Sequence, residues 1–136
     1  MNPKPHIITF KTPIATCWLE ANMLCISSNN VTRNKENIKE HYQIVKGIVH
    51  RKVCWLLDYA TCQWFDKEVT AVIDKELPDI CSCIAVIAKS KCEQLSATFF
   101  RQFEDLGIPV EVCESEREAR VWLKRLDNKR KGITRK

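Results

Sequence analysis

Val53-Cys54-Trp55-Leu56-Leu57-Asp58 is the stretch that decides the fold: an unbroken apolar run closed by a carboxylate. A strand with one face in water alternates apolar and polar residues. A continuous run belongs to a strand buried on both faces, as in parallel sheets. Cys83-Ile84-Ala85-Val86-Ile87-Ala88 repeats the pattern downstream. Between the two runs Val69, Val72 and Ile73 recur at helical spacing. Asp66 is the expected N-cap of that helix and Pro78 its expected stop, because a proline ring cannot continue the ladder. Strand, helix, strand is a parallel crossover.

The same alternation continues in both directions. Upstream, Ile38, Tyr42, Val45 and Ile48 or Val49 mark an amphipathic helix with Thr32 or Asn34 as its N-cap. Before it, Ile14–Leu19 and Met23–Ile26 flank Glu20-Ala21-Asn22 and read as an antiparallel hairpin. Pro3, Pro5 and Pro13 reduce Ile7–Phe10 to a short edge strand. Downstream, Ser90 and Glu93 form a capping box. The helix it opens has the expected stripe Cys92, Leu95, Phe99, Phe103 and Leu106, and Gly107 closes it as a left-handed cap. Val110-Glu111-Val112 is a strand. Ser115 and Glu118 cap a last helix with Ala119, Trp122, Leu123 and Leu126 on one face.

The expected fold is therefore α/β: a single-domain, mixed and largely parallel sheet of four to five strands, with an N-terminal antiparallel hairpin and about four covering helices. Residues 1–13 form an N-terminal extension or edge strand, residues 14–126 the domain, and residues 127–136 a basic, disordered tail.

Charge and cysteine usage narrow the class. The 22 basic and 17 acidic residues leave a net charge of +5. Seven of the basic residues lie from Lys124 to Lys136 beside Asp127 alone, so the remainder holds 15 basic against 16 acidic, a net of −1. Such a tail solubilises, or touches nucleic acid weakly and without sequence preference. No apolar run reaches membrane-spanning length, and the start has no signal-like segment, so a cytoplasmic location is expected. The eight cysteines include no Cys-x-x-Cys pair, which argues against a zinc site and for buried, inert thiols without a disulfide framework. Cys81 and Cys83, two apart, are expected on one face of a strand.

The succession from Ile14 to Leu126 resembles the STAS, or SpoIIAA-like, fold of anti-sigma-factor antagonists, and more closely the small bacterial proteins described as STAS/SEC14-like. The residues carrying the resemblance are Pro13–Leu19, Leu56-Leu57-Asp58 and Gly107–Val112. The resemblance implies a protein–protein interaction module in bacterial regulation. In STAS antagonists a Leu-Asp pair closes the central strand, and a phosphorylatable Ser or Thr opens the following helix. Leu57-Asp58 takes the first role. Asp66-Lys67-Glu68-Val69 falls on the second with no hydroxyl to modify, so no phosphosite is assigned. Glu68 instead supplies a permanent charge at a helix start, where acidic residues are in any case common.

No catalytic constellation is visible, and the chain is read as a non-enzyme. His6, His41 and His50 have no nucleophile motif beside them, and Gly47, Gly107 and Gly132 make no phosphate-cradling loop. Asp58, Tyr59, Trp64, Asp66, Lys67 and Glu68 form the expected partner-binding surface, at the carboxyl end of the central strand where open α/β sheets bind. Phe65 serves either as an anchor beside them or as a staple onto the core. The partner is an unidentified protein, with neither metal nor cofactor. A small lipid or apolar ligand is the alternative suggested by the resemblance. Homodimerisation through the uncovered hairpin edge is also expected.

Overall fold

The computed structural model describes residues 8–29, 31–58 and 67–130, without the side chains of 95, 96 and 127–130. Six strands form one sheet in chain order. They are β1 (Ile8–Lys11), β2 (Ala15–Glu20), β3 (Met23–Ser28), β4 (Val53–Asp58), β5 (Cys81–Ile87) and β6 (Val110–Cys113). The first three pair antiparallel; from β3 to β6 every pairing is parallel. The helices are α1 (Lys35–Ile48), α2 (Lys67–Ile80), α3 (Lys91–Ala97) and α4 (Glu116–Arg130), and a 3₁₀ segment, Thr98–Leu106, continues α3. The α/β reading holds, with the edge strand joining the five strands of the domain.

Sequential order follows from where the crossovers run. Ile38, Tyr42 and Val45 of α1, Val69, Ile73 and Leu77 of α2, and Phe100 and Phe103 of the 3₁₀ segment all enter one core, with Trp55, Leu57, Ile84 and Val86 from the sheet. With each connection on the same face, every new strand is added beyond the last. The opposite face holds Cys25, Cys54, Leu56, Cys83, Ala85 and Ile87, and among the described helices only α4 covers it, through Ala119 and Leu123. The apolar run of β4 is thus buried on both sides, each large side chain contributing about 1.5–3 kcal/mol by leaving water.

The local signals are met closely at three helix starts. Asn34, not Thr32, caps α1 in a reciprocal box with Asn37, each bond 2.8 Å. Ser90 accepts from the Glu93 N–H at 3.1 Å, and Ser115 from the Glu118 N–H at 3.2 Å. In both the Glu side chain reaches one residue further back than the usual box, to the N–H of Lys89 and of Glu114. Gly107 is left-handed at φ 82°, as a helix end requires.

Elsewhere the structure corrects the expectation. Pro78 does not end α2, which runs to Ile80. In the last turn the ring costs only one ladder bond, buried Leu77 and Ile80 hold the turn by packing, and Trp55 Nε1 donates to the Ile80 carbonyl at 3.3 Å. Cys81 and Cys83 lie on opposite faces, because the register slips between Val53 and Cys54 and leaves Ser82 as an extra residue. The expected stripe after Cys92 fails at Thr98. From there the three-residue period of a 3₁₀ turn buries Ala97, Phe100 and Phe103, and Leu106 is 41% exposed. Helix α4 continues past Leu126 to Arg130, into the segment expected to be disordered.

Candidate functional site

Asp58 ends β4 between Ser27 of β3 and Ile87 of β5, at the centre of the carboxyl rim of the sheet. It is half-buried. By strand alternation its side chain shares the face of Cys54 and Leu56, the side that α4 covers. Lys67 and Glu68 are the first two residues of α2, exposed to solvent, and Val69 behind them is fully buried. Helix α2 packs on the other face of the sheet, through Val69, Ile73 and Leu77. Among the described residues no ion pair links Asp58 to Lys67. Tyr59, Trp64, Phe65 and Asp66 lie outside the described residues.

Under α1 lies a polar cluster that the sequence reading did not include. His41 is 3% exposed, on the core face of the helix. Its Nδ1 lies 2.8 Å from Thr12 Oγ1. That oxygen already accepts from the N–H groups of Ile14 and Ala15, at 3.3 and 3.2 Å. The Thr12 proton has two acceptors in reach, His41 Nδ1 and the Ala15 carbonyl at 3.4 Å. The shorter bond makes Nδ1 the acceptor and places the ring proton on Nε2. Burial, with the Arg33 charge adding to it, pushes the imidazole down to about 4, so it is neutral at physiological pH. The spacing held a cue: His41 stands three residues after Ile38 and four before Val45, on the stripe that α1 buries.

Arg33 is equally structural. Its guanidinium donates to the carbonyls of Asn29 at 2.7 Å, Val31 at 2.5 Å and Ile14 at 3.2 Å, fastening the β3–α1 connection to the start of β2. Ser28, Arg33, His41, Tyr42, Trp55 and Phe103 line a small apolar cavity of about 50 Å³ between the sheet and the helices. One water needs roughly 10–15 Å³ on this measure, so the space suits a few waters and not an acyl chain.

The thiols divide. Cys17, Cys25, Cys54, Cys81, Cys83 and Cys113 are free and buried. Burial raises Cys17 and Cys25 to about 12 and Cys113 to about 11, which removes their nucleophilicity. Cys92 departs from the expectation of inert core thiols: it is exposed at the backbone start of α3 and disulfide-bonded. Cys62 lies outside the described residues. Among the described residues no group of three or more His, Cys, Asp or Glu could hold a metal ion, and no helix is long and apolar enough to cross a membrane.

No curated protein and no solved structure matches the chain. A family model described as a domain of unknown function, DUF7793, matches residues 17–127, from within β2 to within α4. The chain belongs to the DUF7793 family.

Proposed function

We propose that this chain is a non-catalytic interaction module of STAS type, which binds a protein partner through the carboxyl rim of β4 and the first turn of α2. The observation carrying the reading is the contrast at that turn: Lys67 and Glu68 are exposed directly ahead of Val69, which is locked in the core. A rigid helix start presenting one positive and one negative side chain suits orientation-specific recognition. Strand order also supports the resemblance, since the hairpin followed by one-way crossovers is what the STAS reading requires. With Lys67 and Glu68 in place of a hydroxyl residue, the surface works without a kinase switch.

Binding without chemistry fits the remaining polar groups. His41 is neutral and spent on Thr12, and the free thiols are buried, with Cys17, Cys25, Cys81, Cys83 and Cys113 raised by that burial or by their neighbours. The cavity beside Tyr42 is too small at its present volume to hold a lipid ligand.

The test is a charge swap, Lys67→Glu with Glu68→Lys, which keeps net charge and leaves Val69 in place. Tagged wild-type and swapped chains are used to recover partners from the source cells, with an Arg117→Glu chain on α4 as control. A protein retained by the wild type and the control but lost from the folded swap variant supports this surface. Equal recovery by all three removes it.

A further inference from the structure

The two edges of this sheet are treated differently. At β6 the carbonyls of Pro109 and Cys113 accept from Ile84 and Ala88, at 2.9 and 2.8 Å, so the alternate carbonyls of Val110 and Val112 face outward. Arg101 lies along that side. Its Nη1 donates to the Val110 carbonyl at 3.0 Å and its Nη2 is 3.7 Å from the Glu111 carboxylate. A guanidinium occupying an outward carbonyl blocks a further strand.

Among the described residues the β1 edge has no such cover. The Thr12 N–H donates to the Ala15 carbonyl at 2.9 Å, which sets the phase of the hairpin. Phe10 then faces Cys17 and Ile8 faces Leu19 as bonded pairs, and the backbone groups of Thr9 and Lys11 turn outward. Among the described residues no hydrogen bond reaches those outward groups. Ile8 is 51% exposed, on the same face as Phe10, which is only partly buried against the larger core.

We infer that two copies of this chain pair through β1, antiparallel and centred on Phe10, to form one continuous sheet. In that register Phe10 meets Phe10 of the second copy across the two-fold axis. Thr9 meets Lys11 in both directions, so the outward groups exchange four backbone hydrogen bonds. The occupant is a second copy because the strand is complementary to itself. Its apolar residues gather at the axis, and each Lys11 faces a threonine instead of another lysine. A strand of four residues gives a reversible dimer, not an obligate one. This contact is independent of the surface at α2.

Sedimentation velocity of the full chain over a concentration series tests it. The wild type moves towards twice the chain mass as concentration rises. Thr9→Pro removes an outward N–H and leaves the β1–β2 ladder whole, as proline on an edge strand allows. Symmetry deletes two bonds at once, so dimerisation weakens by roughly ten-fold or more with an unchanged far-ultraviolet spectrum. As a second measurement, Phe10→Cys gives a covalent dimer under copper–phenanthroline beyond the wild-type background, because an axial non-bonded pair has Cα atoms about 4.5 Å apart. Thr9→Cys does not. A wild type that stays at the chain mass at its highest soluble concentration overturns the inference. So does a folded Thr9→Pro chain that dimerises as well as the wild type, or Thr9→Cys cross-linking as readily as Phe10→Cys.

Discussion

Arg120 on α4 holds Glu20, the last residue of β2, with two guanidinium nitrogens: Nη1 to Oε1 at 2.9 Å and Nη2 to Oε2 at 3.1 Å, across 100 residues of chain. Trp18 Nε1 donates to the same carboxylate at 2.6 Å, and Glu116 takes the Arg120 Nε–H at 2.6 Å. The Arg120 hydrogen bonds hold the Glu20 carboxyl down to about 2. This pair fastens α4 to the hairpin on the face where it is the covering helix. Arg120→Met is expected to lower stability by about 1–2 kcal/mol in urea unfolding at neutral pH. The pair is about one-third exposed, and solvent screening keeps the loss well below that of a buried ion pair. An unchanged midpoint would mean that α4 is held by its apolar face, Ala119, Trp122, Leu123 and Leu126, without help from the ion pair.

Acid sensitivity separates into two windows. The His41 pKa is lowered from 6.5 to about 4 in the fold, so above pH 6.5 the ring is neutral in both folded and unfolded chains and costs nothing. As pH falls from 6.5 to 4, the unfolded chain takes up a proton that the fold refuses. Stability then drops by about 3 kcal/mol in total. Glu20, lowered from 4.5 to about 2, loses its contribution only below pH 4.5. Melting temperature should therefore decline through pH 6.5–4.5 in the wild type and stay nearly level there in His41→Gln. A wild-type profile that is flat over this window would show His41 to be solvated.

Two backbone positions predict opposite signs for related substitutions. Ala21, in the two-residue turn between β2 and β3, has φ 51°, where an L side chain is strained. Ala21→Gly is expected to stabilise by about 0.5–1 kcal/mol despite the added freedom of the unfolded chain. Gly107 has φ 82°, and a Cβ added there would meet nothing within 4 Å. Gly107→Ala meets no clash, only the backbone penalty, and should destabilise by about 1 kcal/mol. Thermal melts of the two variants should move in opposite directions.

Thiol labelling provides a direct check of the core. Iodoacetamide at pH 8 should leave Cys17, Cys25, Cys54, Cys81, Cys83 and Cys113 unmodified in the native protein, by peptide mass spectrometry, and modify all six in urea. Rapid native labelling of Cys25 or Cys83 would mean that α4 does not stay on its face.

The sequence was most informative where one local signal and one tertiary demand coincided. In Val53–Asp58 an apolar run met a site buried on both faces, and in Ala119–Leu126 a helical stripe met a single sheet face. It was least informative where a neighbour reset the local rule. Ser82 is an unremarkable residue in the text, yet as the extra residue of a bulge it sends Cys81 and Cys83 to different cores. Thr98 marks no composition change, yet the switch to a tighter helix there decides which phenylalanine is buried. The expected binding surface was legible only in part. Lys67 and Glu68 stand exposed as expected, but Asp58 belongs to the opposite face, an alternation that depends on strand register. His41 was missed because its partner, Thr12, is brought to it by the hairpin and not by the helix.

Helix α4 follows all six strands of the sheet in chain order, and that order has a consequence for biosynthesis. Among the described residues, Leu56, Ala85 and Ile87 have no other helix over them until residues 116–130 have left the ribosome, although α1, α2 and the 3₁₀ segment are already available to close the other face. A nascent or prematurely terminated chain ending near Glu114 would display a flat apolar sheet surface, a substrate for chaperones and for aggregation. The fifteen residues of α4 are thus the segment whose synthesis closes that face.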